Sequence, residues 1–383
     1  MVKQRSRELG IVIGQYEPGR YNAITDVDGV KVGHTTRVSG EGSRVVGEGP
    51  VRTGVTVVMP RTDPWKEPLF SAPHRLNGNG ELTGLEWIRE SGMLTSHIGL
   101  TNTHSVGVVR DALVAHEASQ RDAGESFFAL PVVGETWDGV LNDINGFHVR
   151  QQDVLAAIDS AGGGPVTEGS VGGGTGMICH GFKGGIGTAS RLIPAGESEY
   201  TIGVLVQANH GTRSRFTVNG VPIGHLIGPE TIPTPRTPSP LRAGTGSIII
   251  VVATDAPLIP TQCARLAQRA GLGMARTGGA GENGSGDIFL CFSTGNDELP
   301  AGFSTDDKRT TANISMLTNR HIDDLFYATI EATEEAILNA MLAAETMTGA
   351  DGVTAHALPA GTVSKHLGGV GAETGRSNGR AKA

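Results

Sequence analysis

The apolar positions of the chain divide it into short extended runs and longer helical ones. Residues 55–59, 128–133, 201–208, 247–253 and 287–292 are short, apolar or β-branched, and bounded by Gly, Asn, Asp or Pro, which predicts strands. Several carry apolar residues at consecutive positions, so they belong where both faces of a sheet are covered. Helices are predicted over 83–91, 106–123, 153–161 and 260–270. The strongest helical signal is 322–347, rich in Ala, Glu, Leu and Ile. Strands and helices mix without a strict βαβ rhythm, which favours layers of sheet and helix over a doubly wound fold.

Two stretches break the pattern. Residues 37–50 are polar and glycine-rich. Residues 228–246 carry Pro229, Pro233, Pro235, Pro238 and Pro240. Proline lacks a backbone donor and resists regular structure. This second stretch runs directly into Gly246-Ser247 and an apolar strand. The polar tail, 373–383, is expected to be loosely held.

Composition narrows the function classes. Glycine supplies 57 of 383 residues, roughly twice the ordinary share of about 7 %. These glycines interrupt runs such as Gly203-Val204-Leu205-Val206, which indicates tight turns and close backbone packing rather than a linker. The net charge is −8 and no basic stripe stands out, so nucleic acid and anionic membranes are excluded as main partners. No run approaches the length of a membrane span, and the first ten residues lack the apolar region of a signal peptide. Cys179, Cys263 and Cys291 form no CxxC pair, which suggests reduced thiols in a soluble, cytoplasmic protein.

Cofactor motifs are missing. Gly172–Gly174 with Thr175 and Gly176, and the run from Gly184 to Gly187, do not match a phosphate-binding loop and read as turns and close-packed strands. The twelve histidines include no HExxH and no tight Cys/His cluster in sequence, so a metal site is not expected.

The chemistry centres on Gly244-Thr245-Gly246-Ser247-Ile248-Ile249-Ile250-Val251. A serine heads a strand, a proline-rich loop feeds it, and glycine precedes it. Glycine leaves the preceding carbonyl open to attack by the serine hydroxyl. Cleavage there would turn the Ser247 nitrogen into an α-amine of pKa about 7.7–8.0. One residue would then supply both nucleophile and base. Taken alone, Gly-Ser before a strand is far more often just a turn.

The longer run from Gly246 to Leu258 resembles the cleavage site of the L-aminopeptidase/D-esterase family, which includes the β-peptidyl aminopeptidases. Asn22-Ala23-Ile24-Thr25-Asp26-Val27-Asp28-Gly29-Val30-Lys31-Val32-Gly33-His34, Leu76-Asn77-Gly78-Asn79-Gly80-Glu81 and Gly284-Ser285-Gly286-Asp287 are similar to further motifs of that family, in order along most of the chain. The resemblance implies an α+β fold, a four-layer αββα sandwich like that of N-terminal-nucleophile hydrolases with different strand connections. It implies one domain over 1–383, self-processed into 1–246 and 247–383, assembled as a tetramer of such heterodimers and free of cofactors. Its substrates would be small peptides, amides or esters.

The same resemblance suggests roles for single residues. Ser285 and Asp287, two apart on an extended segment, can point together; the family implies a relay beside Ser247. Asn209 ends a strand, where an amide can donate to an oxyanion, the role the family implies. Glu135 would hold the substrate ammonium. Trp137 stands where some relatives have tyrosine and offers only an indole N–H. Two other readings were open: an acyltransferase related to the ornithine acetyltransferases, disfavoured by serine in place of threonine, and a non-enzymatic glycine-rich module.

Overall fold

The computed structural model describes residues 4–196, 198–235, 246–300 and 309–374. In chain order its strands are β1 (Lys31–Ser39), β2 (Val51–Met59), β3 (Leu69–Arg75), β4 (Met93–Leu94), β5 (Ile98–Asn102), β6 (Val132–Thr136), β7 (Ile178–Cys179), β8 (Phe182–Lys183), β9 (Gly185–Ala195), β10 (Ser198–Asn209), β11 (Ser247–Thr254), β12 (Asp287–Ser293), β13 (Met347–Thr348) and β14 (Thr354–Ala355). The α-helices are α1 (Leu85–Ser91), α2 (Val106–Ser119), α3 (Gln151–Asp159), α4 (Ile223–Leu226), α5 (Pro260–Arg276), α6 (Asp323–Leu342) and α7 (Ala360–Thr374).

Two sheets carry the architecture. One has the order β1-β2-β5-β6, the other β4-β3-β12-β11-β10-β9. In the six-stranded sheet β11 pairs antiparallel with β10 and parallel with β12. Alternation along β11 separates its side chains into two cores. Ile248, Ile250 and Val252 meet Leu266, Ala267 and Ala270 of α5 and the α6 residues Ala332 and Ala336. Ile249, Val251 and Ala253 meet Val58, Ile98, Leu100 and Val132 of the other sheet. That sheet turns Val55, Val57 and Val133 outward onto Val109 and Leu113 of α2 and Val154 and Ala157 of α3. The layers therefore run helix, sheet, sheet, helix, and every residue of β11 and β12 is buried.

Most predicted elements occur, with informative shifts. The run predicted as a strand over 128–133 begins only at Val132, because Phe128 and Leu130 lie at the surface ahead of Pro131. Helix α5 continues to Arg276, past its expected end at 270. In the added turn Gly273 lets α5 approach α6: a Cβ there would lie 2.5 Å from that of Thr333. Strands β1, β3, β5 and β9 were not predicted. β1 is polar, β3 contains Pro73, and β9 opens on glycines. The start of the supposed loop over 37–50 extends β1 to Ser39. Pro238, Pro240 and the tail beyond Thr374 lie outside the described residues.

Candidate active site

Ser247 is the first residue of β11. In the antiparallel ladder it stands opposite Asn209, the last residue of β10, while β12 flanks it on the other edge. Its hydroxyl oxygen accepts a hydrogen bond from the Gly286 N–H at 3.1 Å. That contact uses an oxygen lone pair and leaves the hydroxyl proton for a base. Gly246 lies tight against β10: a Cβ there would fall 1.9 Å from the Asn209 carbonyl oxygen. Any larger residue ahead of Ser247 would have to displace that strand end.

Gly286 lies between Ser285 and Asp287, which the fold brings together as alternation predicts. Ser285 Oγ donates to Asp287 Oδ1 at 2.7 Å. Among the described residues no hydrogen bond joins Ser247 Oγ to either side chain; the pair adjoins Ser247 through the Gly286 backbone. Asp287 is held further by Asn77, whose Nδ2 donates to Oδ2 at 3.0 Å and whose Oδ1 accepts from the Asp287 N–H. Burial pushes the Asp287 carboxyl up to about 6, against the opposing pull of Ser285, Asn77 and the Ile248 N–H.

Asn77 begins a loop that ties two parts of the site together. Asn79 donates through its N–H to the Ser285 carbonyl and through Nδ2 to the Gly284 carbonyl. Gly80 and Gly286 approach so closely that a Cβ on Gly286 would lie 2.4 Å from the Gly80 Cα. On its other side Gly80 faces Glu135: a Cβ there would lie 3.1 Å from Glu135 Oε1. Glu135, near the end of β6, accepts from the Glu81 N–H at 2.9 Å through Oε1 and from the Thr103 hydroxyl through Oε2. Burial raises its carboxyl above the usual range, while those two bonds act in the opposite direction. Asn77, Gly80 and Thr103 escaped the sequence reading as site residues. The Asn-Gly-Asn-Gly motif was visible, but not what it would touch.

Asn209 is fixed at both ends of its amide. Oδ1 accepts from the Ile178 N–H at 2.8 Å, and Nδ2 donates to the Trp137 carbonyl at 3.0 Å. Among the described residues the second N–H of the amide has no partner, and Asn209 stands opposite Ser247 in the ladder. The Trp137 indole folds over Gly139, where a Cβ would lie 2.5 Å from the ring. What Trp137 gives Asn209 is thus a backbone carbonyl. Both residues line a cavity of 410 Å³ whose far wall is formed by Pro229, Glu230, Thr234 and Pro235, from the stretch leading towards Ser247. Lys183, also unforeseen, steadies this side: its buried ammonium donates to the carbonyls of Gly174, Met177 and Gly184, around the ribbon that carries Ile178.

One further group departs from expectation. Widely spaced in sequence, Cys179, His180 and His210 converge, with ligand-type atoms all within 4.8 Å of one another. Cys179 is buried as foreseen, and burial raises its thiol to about 12.

With this geometry in hand, comparison with known proteins is informative. Residues 22–355 match the model of Peptidase family S58. A β-peptidyl aminopeptidase, BapA, of Sphingosinicella microcystinivorans is 47 % identical over 362 residues, covering 93 % of this chain and 89 % of that protein. The solved structure of a Burkholderia sp. β-aminopeptidase superposes with a TM-score of 0.87 at 50 % identity, covering 96 % of this chain and 99 % of the other. The L-aminopeptidase D-Ala-esterase/amidase of Ochrobactrum anthropi, described as a prototype serine aminopeptidase and a variant of the Ntn-hydrolase fold, superposes with a TM-score of 0.86 at 41 % identity over 96 % and 99 % of the two chains. The αββα layering, the constellation around Ser247 and these likenesses agree: the chain belongs to peptidase family S58 and is an aminopeptidase of Ntn-hydrolase fold.

Proposed function

We propose that the chain cleaves its own Gly246–Ser247 bond and then uses Ser247 to release the N-terminal residue of small peptides, amides or esters. The observation that carries this reading is the placement of Ser247 at the head of a fully buried strand, opposite Asn209 and bonded to Gly286 between Ser285 and Asp287. In the first event Ser247 Oγ adds to the Gly246 carbonyl carbon, the C–N bond breaks, and water hydrolyses the resulting ester. The products are 1–246 and 247–383, held in one αββα domain, with a free α-amine on Ser247.

In turnover that amine takes the hydroxyl proton as Oγ attacks the substrate carbonyl. In this scheme the second Asn209 N–H and the Gly286 N–H donate to negative charge developing near Oγ. Ser285 and Asp287 hold the Gly286 backbone and offer a proton path. Glu135 receives the substrate ammonium, water releases the acyl group, and no cofactor enters the scheme. Peptides with an N-terminal β-residue are the first substrates to try, since relatives at 47 % and 50 % identity are named for that class.

Intact-mass measurement under denaturing conditions, beside a Ser247→Ala variant, tests the proposal. Two fragments from the wild type, the smaller beginning at Ser247, and a single species from the variant are expected. One full-length species in both would refute it. We propose further that four processed units assemble in the cytoplasm. Exposed Val46, Phe147 and Tyr327 supply apolar contact surface, and the three cysteines are unpaired. Among the described residues no helix is long and apolar enough to cross a membrane. Sedimentation of the processed protein, and fractionation of the cells that make it, check these two points.

A further inference from the structure

Cys179, His180 and His210 form a buried group next to the nucleophile's partner Asn209 that the proposed reaction does not use. Cys179 ends β7, and His180 follows with φ of 49°, a left-handed conformation that a side chain adopts only at some cost. His210 follows Asn209 directly, and the His180 N–H donates to the His210 carbonyl at 2.8 Å. Cys179 Sγ lies 3.8 Å from His210 Nδ1, and the two imidazoles meet edge to face with centroids 5.0 Å apart. Each ring keeps a buried Nε2 that has no hydrogen-bond partner among the described residues. Leaving such an atom unpaired costs about 1–3 kcal/mol.

We infer that Cys179, His180 and His210 constitute a binding site for a soft monovalent metal ion, Cu(I), whose occupancy restrains Asn209. Three observations carry it. First, the donors lie within 4.8 Å of one another, and one pair already has the separation an ion would impose. Metal–sulfur and metal–nitrogen bonds of about 2.3 and 2.0–2.1 Å place ligands of a trigonal or tetrahedral centre about 3.6–3.8 Å apart, as Sγ and Nδ1 already are. Second, the Thr212 carbonyl lies 3.3 Å from His180 Nδ1. A carbonyl at that nitrogen keeps its proton there and leaves Nε2 as a lone pair, the orientation that outer partners impose on metal-bound histidine. Third, the charge balances. One thiolate neutralises one monovalent cation, whereas a divalent ion would leave a buried positive charge beside Arg213, whose Nε donates to the His180 carbonyl. A mixed thiolate and imidazole set also suits Cu(I) by softness.

Access and consequence follow from position. His210, Gly181 and Arg213 line the 410 Å³ cavity that also reaches Asn209, which gives an entry path. Binding replaces the thiol proton, released to solvent, with a copper–sulfur bond, and copper stays in the +1 state. Two of the ligands directly follow Ile178 and Asn209, the two residues joined by the bond that orients the Asn209 amide. Holding Cys179 and His210 on one ion therefore limits the movement of that bond and lowers turnover. This last link rests on Asn209 serving the oxyanion.

Anaerobic titration of the full-length protein with Cu(I) against a chelating competitor, read by native mass, tests the site. It is to be run on the wild type and on Ser247→Ala, so that retention is read independently of processing and catalysis. One tightly held copper is expected in both, and in Cys263→Ala/Cys291→Ala, which removes the neighbouring thiol pair. Cys179→Ser is expected to lose it, and His180→Gln to weaken retention at least tenfold with an unchanged circular dichroism spectrum. No retained copper in the wild type, or retention undiminished in both site variants, would overturn the site. In the wild type kcat should fall with copper bound while KM stays constant; unchanged turnover at full occupancy would overturn the restraint on Asn209.

Discussion

At the scale of the residue, the site depends on a few polar atoms with little freedom. Asn209 is held by Ile178 and Trp137, so its free N–H is aimed without further ordering. Losing a donor of this kind costs about 3–4 kcal/mol in comparable sites. Asn209→Ala should accordingly lower kcat by about 10²–10³-fold with little change in KM, checked by steady-state kinetics on a processed sample. Asp287 makes the pH dependence specific. Burial lifts its carboxyl from an ordinary 3.8 to about 6. Below that pH the carboxyl is protonated and no longer accepts as an anion from Ser285 and Asn77, so kcat/KM should fall as pH drops through about 6. The folded state binds this proton more tightly than the unfolded chain, so its stabilising effect is present at low pH and is lost as pH rises from 3.8 through about 6. Asp287→Asn should therefore melt no lower than wild type at pH 7.5 while losing both activity and the inflection near 6.

At the scale of the element, β11 needs to be rigid, and its burial makes it so. Ile250 packs among the helices on one face and Ile249 between the sheets on the other. Truncating such a side chain removes apolar burial and leaves a cavity, at about 2–5 kcal/mol. Ile250→Ala should lower the free energy of unfolding by that amount, measured by urea titration, and leave the pH dependence of activity unmoved. The loop from Asn77 to Gly80 is the other demanding element. Its contact with Gly286 admits no side chain. Gly286→Ala should push the loop away from both Ser247 and Glu135, so processing slows and KM rises together. A variant that processes at the wild-type rate would contradict that placement.

At the scale of the whole molecule, the proposed cleavage raises the question of what would keep 1–246 and 247–383 together. The six-stranded sheet crosses the junction, because β10 belongs to the first part and β11 and β12 to the second. A buried ionic group adds to this. Arg191 of β9 reaches Glu335 of α6 at 2.7 Å and Glu331 at 3.4 Å, while Ser6 and Asn22 near the start of the chain also bond Glu335. Burial acts to raise the Glu335 carboxyl, but Arg191 and Arg7 hold it below its usual value. Breaking one partner of such a buried pair costs about 3–5 kcal/mol. The processed chains should co-elute in native chromatography, and Arg191→Met should dissociate them at a lower denaturant concentration.

The strands and helices with one dominant period were legible in the chain itself. Local apolar spacing and turn residues determine α6, β11 and β12 within a few residues, and Ser247 stood out as the proposed nucleophile only through the family resemblance of the longer run from Gly246 to Leu258. Ser285 and Asp287 were readable as a pair, since alternation alone puts them on one face. Elements whose stability comes from neighbours were not. Polar β1, proline-bearing β3 and glycine-opened β9 become strands only when a sheet supplies their hydrogen bonds. The same holds for Asn77, Gly80, Thr103 and Lys183, and for the meeting of Cys179, His180 and His210. Their partners lie tens to hundreds of residues away or in backbone carbonyls, so their roles are set by the approach of chain segments in three dimensions, which a one-dimensional pattern does not encode.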